Sequence, residues 1–243
     1  MDDATSPPAA DAPDAAQVVL DELVSALRRA DLPRAAAALA SDGGAAVGAD
    51  ALVRLAELNA RRRKWTDAAW LFDRAAERGV APSPADASPS RLSPAVASPA
   101  TGVSTGAAVG VALKRNFCRN MAALAAHRPA LAKLFADLPP TADVAVAPSA
   151  TGHATVAARQ PDGGMANLSP GNRPLDAAEH AMNQLRPALD AGHAVGLAGV
   201  GDGYVLARLA ADEPSLFLGM RVAVAVVEPD AQVALHALMV HDF

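Results

Sequence analysis

Residues 193–230 constrain the fold more than any other stretch of the chain. They run through an apolar segment, a glycine turn, a helical segment and a second apolar segment, at residues 194–198, 199–204, 205–211 and 221–227. Glu228 follows directly. Strand, glycine turn, helix, strand and acid is the succession of a nucleotide-binding βαβ unit. We therefore predict two parallel strands joined by a helical crossover.

The glycine turn and the acid supply the candidate site. Glycines allow a sharp turn and a close approach to a ligand. The helix that follows presents free N–H groups, and an acid after the second strand can accept ribose hydroxyls. The predicted cofactor-binding residues are Gly199, Gly201, Gly203, Tyr204 and Glu228. No catalytic residue and no metal ligand is assigned.

The spacing of the glycines leaves the ligand open. The third glycine comes two residues after the second, as GxGxG, whereas dinucleotide-binding turns have GxGxxG. The candidate ligands are S-adenosylmethionine and a nucleotide sugar. Asp202 lies within the turn, and a carboxylate there would repel a phosphate, which fits S-adenosylmethionine better. The alternative is a crossover whose glycines only permit tight packing.

The composition excludes several kinds of function. The net charge of −5 gives no electrostatic basis for binding nucleic acid or an anionic membrane. The single cysteine, Cys118, excludes an internal disulfide and a cysteine metal site. No apolar run reaches the roughly 20 residues of a membrane span. The acidic N-terminus is unlike a signal peptide, so a cytoplasmic protein is predicted.

The first 80 residues are predicted to form a disordered leader (1–14) and then helices (15–80). The leader is rich in Ala, Pro and Asp. Asp14 is a candidate N-cap of the first helix. The fourth helix is predicted over residues 67–78, with Trp65 in the turn before it.

Small and large apolar residues recur at a regular spacing in the third and fourth of these helices. They are Leu52, Leu55, Ala56, Trp65, Ala68, Phe72 and Ala75. This pattern resembles the small and large positions of a tetratricopeptide repeat. The resemblance implies helical hairpins packed through small residues. It makes residues 15–80 a candidate surface for a protein partner or for a homo-oligomer. The preceding pair of helices is a weaker copy, so the segment holds two such units, fewer than the usual three. This favours a structural cap or a dimer surface over a peptide-binding site.

A Ser/Pro-rich segment separates these helices from the rest. Ser-Pro dipeptides recur every five residues, at Ser83, Ser88, Ser93 and Ser98. Such a segment lacks the apolar surface needed to offset its ordering entropy. We predict a disordered, semi-extended linker over residues 81–105.

Residues 106–243 are predicted to fold as a second domain. Helices come first, and a β-hairpin follows with strands at 143–147 and 153–158. A helix at 174–189 then leads into the stretch described first. The fold class is α+β or α/β, with a partial Rossmann-like unit. Two parallel strands are too few for a sheet covered on both faces. We therefore expect either that the chain is a fragment of a longer protein, or that the hairpin, a partner or a second copy completes the sheet.

Four short motifs follow one another within residues 113–243. They are Pro174, Ala177, Ala178 and Glu179, then Gly199, Gly201, Gly203 and Tyr204, then Glu228, Pro229 and Asp230, and finally His241, Asp242 and Phe243. Together with the hairpin, this succession resembles the N-terminal portion of motility accessory factors, which are flagellin glycosyltransferase-like proteins. In that family the catalytic domain lies further along the chain. The resemblance thus implies a non-catalytic region of a glycosyltransferase-associated protein with a nucleotide-binding-like module.

Two other functions remain open. The glycine turn and Glu228 fit an S-adenosylmethionine-dependent, methyltransferase-like protein. The N-terminal helices alone fit a tetratricopeptide adaptor for protein partners.

Overall fold

The structure, a computed structural model, describes residues 14–79, 106–211, 216–217, 220–221 and 223–243. The predicted linker and nearly all of the predicted leader lie outside these residues. The described chain is a mixed protein of helices and small sheets. Among its helices, none combines the length and the apolar character needed to cross a membrane.

The secondary-structure elements of the described residues follow in chain order. The helices are α1 (Ala15–Arg28), α2 (Leu32–Ala40), α3 (Ala49–Arg61), α4 (Trp65–Glu77), α5 (Gly106–His127), α6 (Pro129–Asp137), α7 (Pro174–Asp190), α8 (Tyr204–Ala211) and α9 (Ala231–Val240). The strands are β1 (Val144–Pro148), β2 (Ala154–Arg159), β3 (Met165–Asn167), β4 (Val195–Ala198), β5 (Leu216–Phe217), β6 (Met220–Arg221) and β7 (Val224–Val227). Short 3₁₀ turns lie at Gly44–Ala46 and Pro170–Asn172.

Local hydrogen bonds mark where helices α1 and α4 begin. The Asp14 carboxylate accepts a hydrogen bond from the N–H of Ala16 at 3.1 Å, which confirms the predicted N-cap. The prediction of a turn at Trp65 is wrong, because α4 begins there. The carbonyl of Lys64 already accepts the first helical hydrogen bond, from the N–H of Ala68 at 3.0 Å.

The N-terminal helices and α5 share one apolar core. Leu23, Leu52 and Phe72 are fully buried within it, and α5 adds Val111 and Cys118 to the same cluster. Burial raises the pKa of the Cys118 thiol to about 12, so this side chain is a neutral packing group. Helix α5 belongs to the predicted segment 106–243, and it also packs in the core of the helices predicted over residues 15–80.

The predicted hairpin is confirmed, and it belongs to an antiparallel sheet in the order β1-β2-β3. Val146 lies opposite Val156. The third strand pairs with β2 through Ala158 and Ala166 and was not predicted from the sequence. Helix α9 covers this sheet, and its residue Val233 packs in the same buried cluster as Val156.

The predicted parallel pair is formed by β4 and β7. Its register runs from Val195 opposite Val224 to Ala198 opposite Val227. The second strand is shorter than predicted, because Arg221 pairs with Leu216 in the separate β5-β6 ribbon.

The two sheets remain separate, so the hairpin does not complete the parallel pair. One face of the pair carries Gly196, Ala198, Ala225 and Val227, all of them exposed. Val227 is 71% exposed. Within the described residues, this face of the pair has no covering layer.

Two asparagines of α5 hold the carboxyl end of α9. The side-chain amide of Asn120 donates at 2.9 Å and 2.7 Å to two carbonyls, and that of Asn116 donates at 3.3 Å to two more. The acceptors are the carbonyl oxygens of Leu238, Met239, Val240 and His241. The last carbonyls of a helix lack partners within it. These amides supply the partners and join α9 to α5.

A cation between the two asparagines reinforces this junction. The Arg119 guanidinium donates to both carboxylate oxygens of Asp73 on α4, each at 2.9 Å. It also donates to Asp242, just beyond α9. These hydrogen bonds, to Asp73 first and to Asp242 second, raise the pKa of Arg119 above its ordinary value. Helices α4, α5 and α9 are thereby connected through one side chain.

Replacing Asn120 by alanine is expected to destabilise the fold by about 1–3 kcal/mol. The substitution leaves the carbonyls of Leu238 and His241 without their donor, and the N–H of Phe243 without its acceptor. Urea denaturation followed by circular dichroism measures the change. Asn183→Ala, at an exposed position of α7, is the control, expected within about 0.5 kcal/mol of wild type. Equal losses in both variants would contradict the assignment.

Candidate functional site

The glycine turn and Glu228 meet at one edge of the parallel pair. Gly199 follows β4, and its N–H donates to the carbonyl of Val227, the last residue of β7, at 2.8 Å. Glu228 comes next. The carboxyl ends of parallel strands share an edge, where open α/β sheets bind their ligands. The structure brings the predicted glycines and the predicted acid together at this edge.

The three glycines of the turn differ in what surrounds them. Gly199, Gly201 and Gly203 have φ of +91°, +57° and +86°, a region that favours glycine. A Cβ on Gly199 would lie 3.7 Å from the Oε2 atom of Glu228, and a Cβ on Gly201 would meet nothing within 4 Å. On Gly203 it would lie 2.7 Å from Cδ2 of His241. Close packing therefore requires Gly203, whereas Gly201 borders open space.

Glu228 ties the glycine turn to the start of α9. Its Oε2 accepts from the N–H of Val200 at 2.7 Å, and its Oε1 accepts from the N–H of Asp230 at 2.9 Å. A carboxylate offers about four acceptor positions. Glu228 therefore fixes the turn and retains lone pairs for a ligand hydroxyl.

Tyr204 anchors the turn to the antiparallel sheet. Its hydroxyl donates to the carbonyl of Ala154 on β2 at 2.8 Å. Its ring meets the His241 ring edge to face, with centroids 4.3 Å apart. Burial, and then the nearby charge of Asp202, raise the pKa of Tyr204 to about 12. The hydroxyl of this predicted binding residue is thus a neutral donor engaged by the protein.

Asp202 is buried and joins three parts of the chain. Its Oδ2 accepts hydrogen bonds from the hydroxyls of Thr155 on β2, at 2.9 Å, and of Ser169 before α7. Its backbone carbonyl lies 3.1 Å from Nε2 of His241. Hydroxyl donors satisfy a carboxylate that would otherwise be costly to bury. The side chain that was expected to repel a phosphate therefore also holds the turn in place.

The imidazole ring of His241 packs against the glycine turn, and this ring is neutral. Burial lowers its pKa below the ordinary value, although the nearby charge of Asp202 acts the other way. A carbonyl oxygen only accepts hydrogen bonds. The neutral imidazole therefore carries its proton on Nε2 and donates it to the carbonyl of Asp202.

A cavity of about 850 Å³ opens beside the turn. One part of its lining is the apolar side of α7, with Ala177, Ala181 and Leu185, and another part is formed by the turn and Glu228. Gly199, Gly201, Tyr204 and Glu228 line it, and Gly203 does not. Its volume falls within the roughly 300–1,000 Å³ typical of small-molecule sites.

Sequence reasoning missed the α7 wall and the two hydroxyl donors. The wall had a signal, since Pro174, Ala177, Ala178 and Ala181 place small residues at helical spacing on one side. Thr155 and Ser169 gave no such signal, because their partner Asp202 lies 47 residues from Thr155 and 33 residues from Ser169.

Comparison of the chain with protein-family models, with curated proteins and with solved structures gives no match. Within the part of the chain that the structure describes, no group of three or more His, Cys, Asp or Glu side chains could hold a metal ion. Function is therefore inferred from the cavity and its walls.

Gly203→Ala is expected to be more destabilising than Gly201→Ala. Both place alanine at a positive φ, which costs roughly 1–2 kcal/mol. Gly203→Ala also forces Cβ against the His241 ring, and such overpacking costs a further ~1–3 kcal/mol. Thermal and urea denaturation of the two variants measure the difference. Equal destabilisation would show that the contact with His241 does not account for the third glycine.

Proposed function

We propose that the cavity belongs to a Rossmann-like module that binds a ligand with a nucleoside group. The observation that carries the proposal is the position of the cavity, directly beyond the carboxyl ends of β4 and β7. Open α/β sheets bind nucleotides at such an edge. The acid after the second strand, Glu228, lies on the cavity wall.

The residues that line the cavity complement the ribose and the base of a nucleoside. The spare lone pairs of Glu228 can accept ribose hydroxyls. Gly201 leaves open space where the backbone can approach the ligand closely. On α7, the lining residues Ala177, Ala181 and Leu185 offer an apolar surface for the flat face of a base.

We assign binding, and not catalysis, to these residues. Asp202 and Tyr204 use polar atoms to hold the turn. The resemblance of the chain to motility accessory factors supports the same conclusion, since it implies a non-catalytic region of a glycosyltransferase-associated protein. A nucleotide sugar and S-adenosylmethionine are the candidate donors.

We also propose that residues 15–80 are tetratricopeptide-like hairpins with a structural role. Ala56 and Ala68, which match the small positions of that repeat, have no exposed surface. Trp65 meets Phe117 of α5 edge to face, with ring centroids 5.7 Å apart. Because α5 packs on α4 here, these helices act as a support for α5, and a role as an adaptor for protein partners is the alternative.

Filling the cavity is expected to abolish nucleoside binding. Isothermal titration calorimetry of the wild-type protein with S-adenosylmethionine and with UDP-glucose should give saturable binding for one of them. Ala181→Trp places a large ring in the cavity and should weaken that binding at least about tenfold, or ~1.4 kcal/mol. Ala126→Trp, at an exposed position of α5, is the matched control and should bind as wild type does.

Two outcomes would contradict the proposal. One is the absence of binding by either donor. The other is unchanged binding in Ala181→Trp, which would place the ligand elsewhere on the protein.

A further inference from the structure

We infer that the ligand of this cavity carries a positive charge and no phosphate, as S-adenosylmethionine does and a nucleotide sugar does not. The inference rests on the proposed nucleoside-binding function and narrows its ligand to one chemical class. Three features of the cavity and of the residues around it support this inference.

The first feature is the charge of the cavity. Among the described residues that line it, Asp202 and Glu228 contribute two carboxylates, and none is Lys, Arg or His. Phosphates are held in proteins by cations or by several free N–H groups. The lining of the cavity therefore repels a diphosphate and attracts a cation.

The second feature is the use of the N–H groups of the turn. In phosphate-binding turns these groups point at the anion. Here the N–H of Val200 donates to the Glu228 carboxylate at 2.7 Å. The N–H of Tyr204 lies 3.4 Å from the Asp202 carboxylate. The carboxylates of the protein thus occupy donors that a phosphate would need.

The third feature is the position of nearby cations. Arg208 on α8 pairs with Glu179 at 3.5 Å, and Arg173 before α7 pairs with Asp176 at 3.2 Å. Neither arginine lines the cavity. The helices that flank the site therefore direct these charges to other partners.

The test compares three ligands by isothermal titration calorimetry on the full chain. S-adenosylmethionine and S-adenosylhomocysteine share the nucleoside and differ by a methyl group and one positive charge. UDP-glucose carries a diphosphate. We expect S-adenosylmethionine to bind at least about tenfold more tightly than S-adenosylhomocysteine, with no saturable binding of UDP-glucose.

Variants that neutralise a carboxylate of the cavity distinguish the effect of the ligand's charge from the effect of its methyl group. Asp202→Asn keeps an acceptor for the hydroxyls of Thr155 and Ser169, and Glu228→Gln keeps one for the turn. Each should reduce the ratio of the two affinities several-fold. Asp190→Asn removes an exposed carboxylate of α7 outside the cavity and should leave the ratio unchanged. Circular dichroism establishes that each variant is folded, and either cavity variant alone suffices for the test.

The outcomes distinguish this inference from the proposed function. Three results would contradict a positively charged ligand and leave the proposal of nucleoside binding intact. They are equal affinities for the two adenosyl ligands, tighter binding of UDP-glucose, and an affinity ratio that is unchanged in a folded cavity variant. Failure of all three ligands to bind would overturn nucleoside binding itself.

Discussion

Hydrogen bonds from Asn116 and Asn120 to the carboxyl end of α9 hold the part of the molecule on which the cavity depends. Asn120 also accepts from the N–H of Phe243 at 3.0 Å, so residues 241–243 are fixed beyond the helix. The ring of His241 then lies against Gly203. Because α5 packs in the core of the N-terminal helices, this junction connects the whole helical part to the glycine turn.

The turn is held by contacts with three other parts of the chain. Tyr204 binds it to β2, Asp202 binds it to β2 and to the segment before α7, and Glu228 binds it to the start of α9. A wall fixed in this way loses little conformational freedom when a ligand binds. The same contacts direct two carboxylates to the turn, which links the rigidity of the site to the preference for a cation that we infer for it.

Local patterns predicted much of the fold and part of the site. The cap at Asp14, the hairpin and the order of strand, glycine turn and helix are signals within a few residues. The roles of Asn116 and Asn120 had no such signal, because their acceptors lie 118 to 124 residues away. Gly201 and Gly203 are equivalent positions of the glycine pattern in the sequence, yet Gly201 borders the cavity and Gly203 packs on His241. Only the tertiary contacts distinguish them.

Hydrogen exchange of the turn amides tests the link between α5 and the cavity most directly. The wild-type protein and Asn120→Ala are compared under native conditions by mass spectrometry, with peptides that cover residues 199–204. If α5 fixes the turn through residues 241–243, the amides of the turn exchange faster in the variant. Unchanged exchange in the turn, with faster exchange only at the end of α9, would contradict this account.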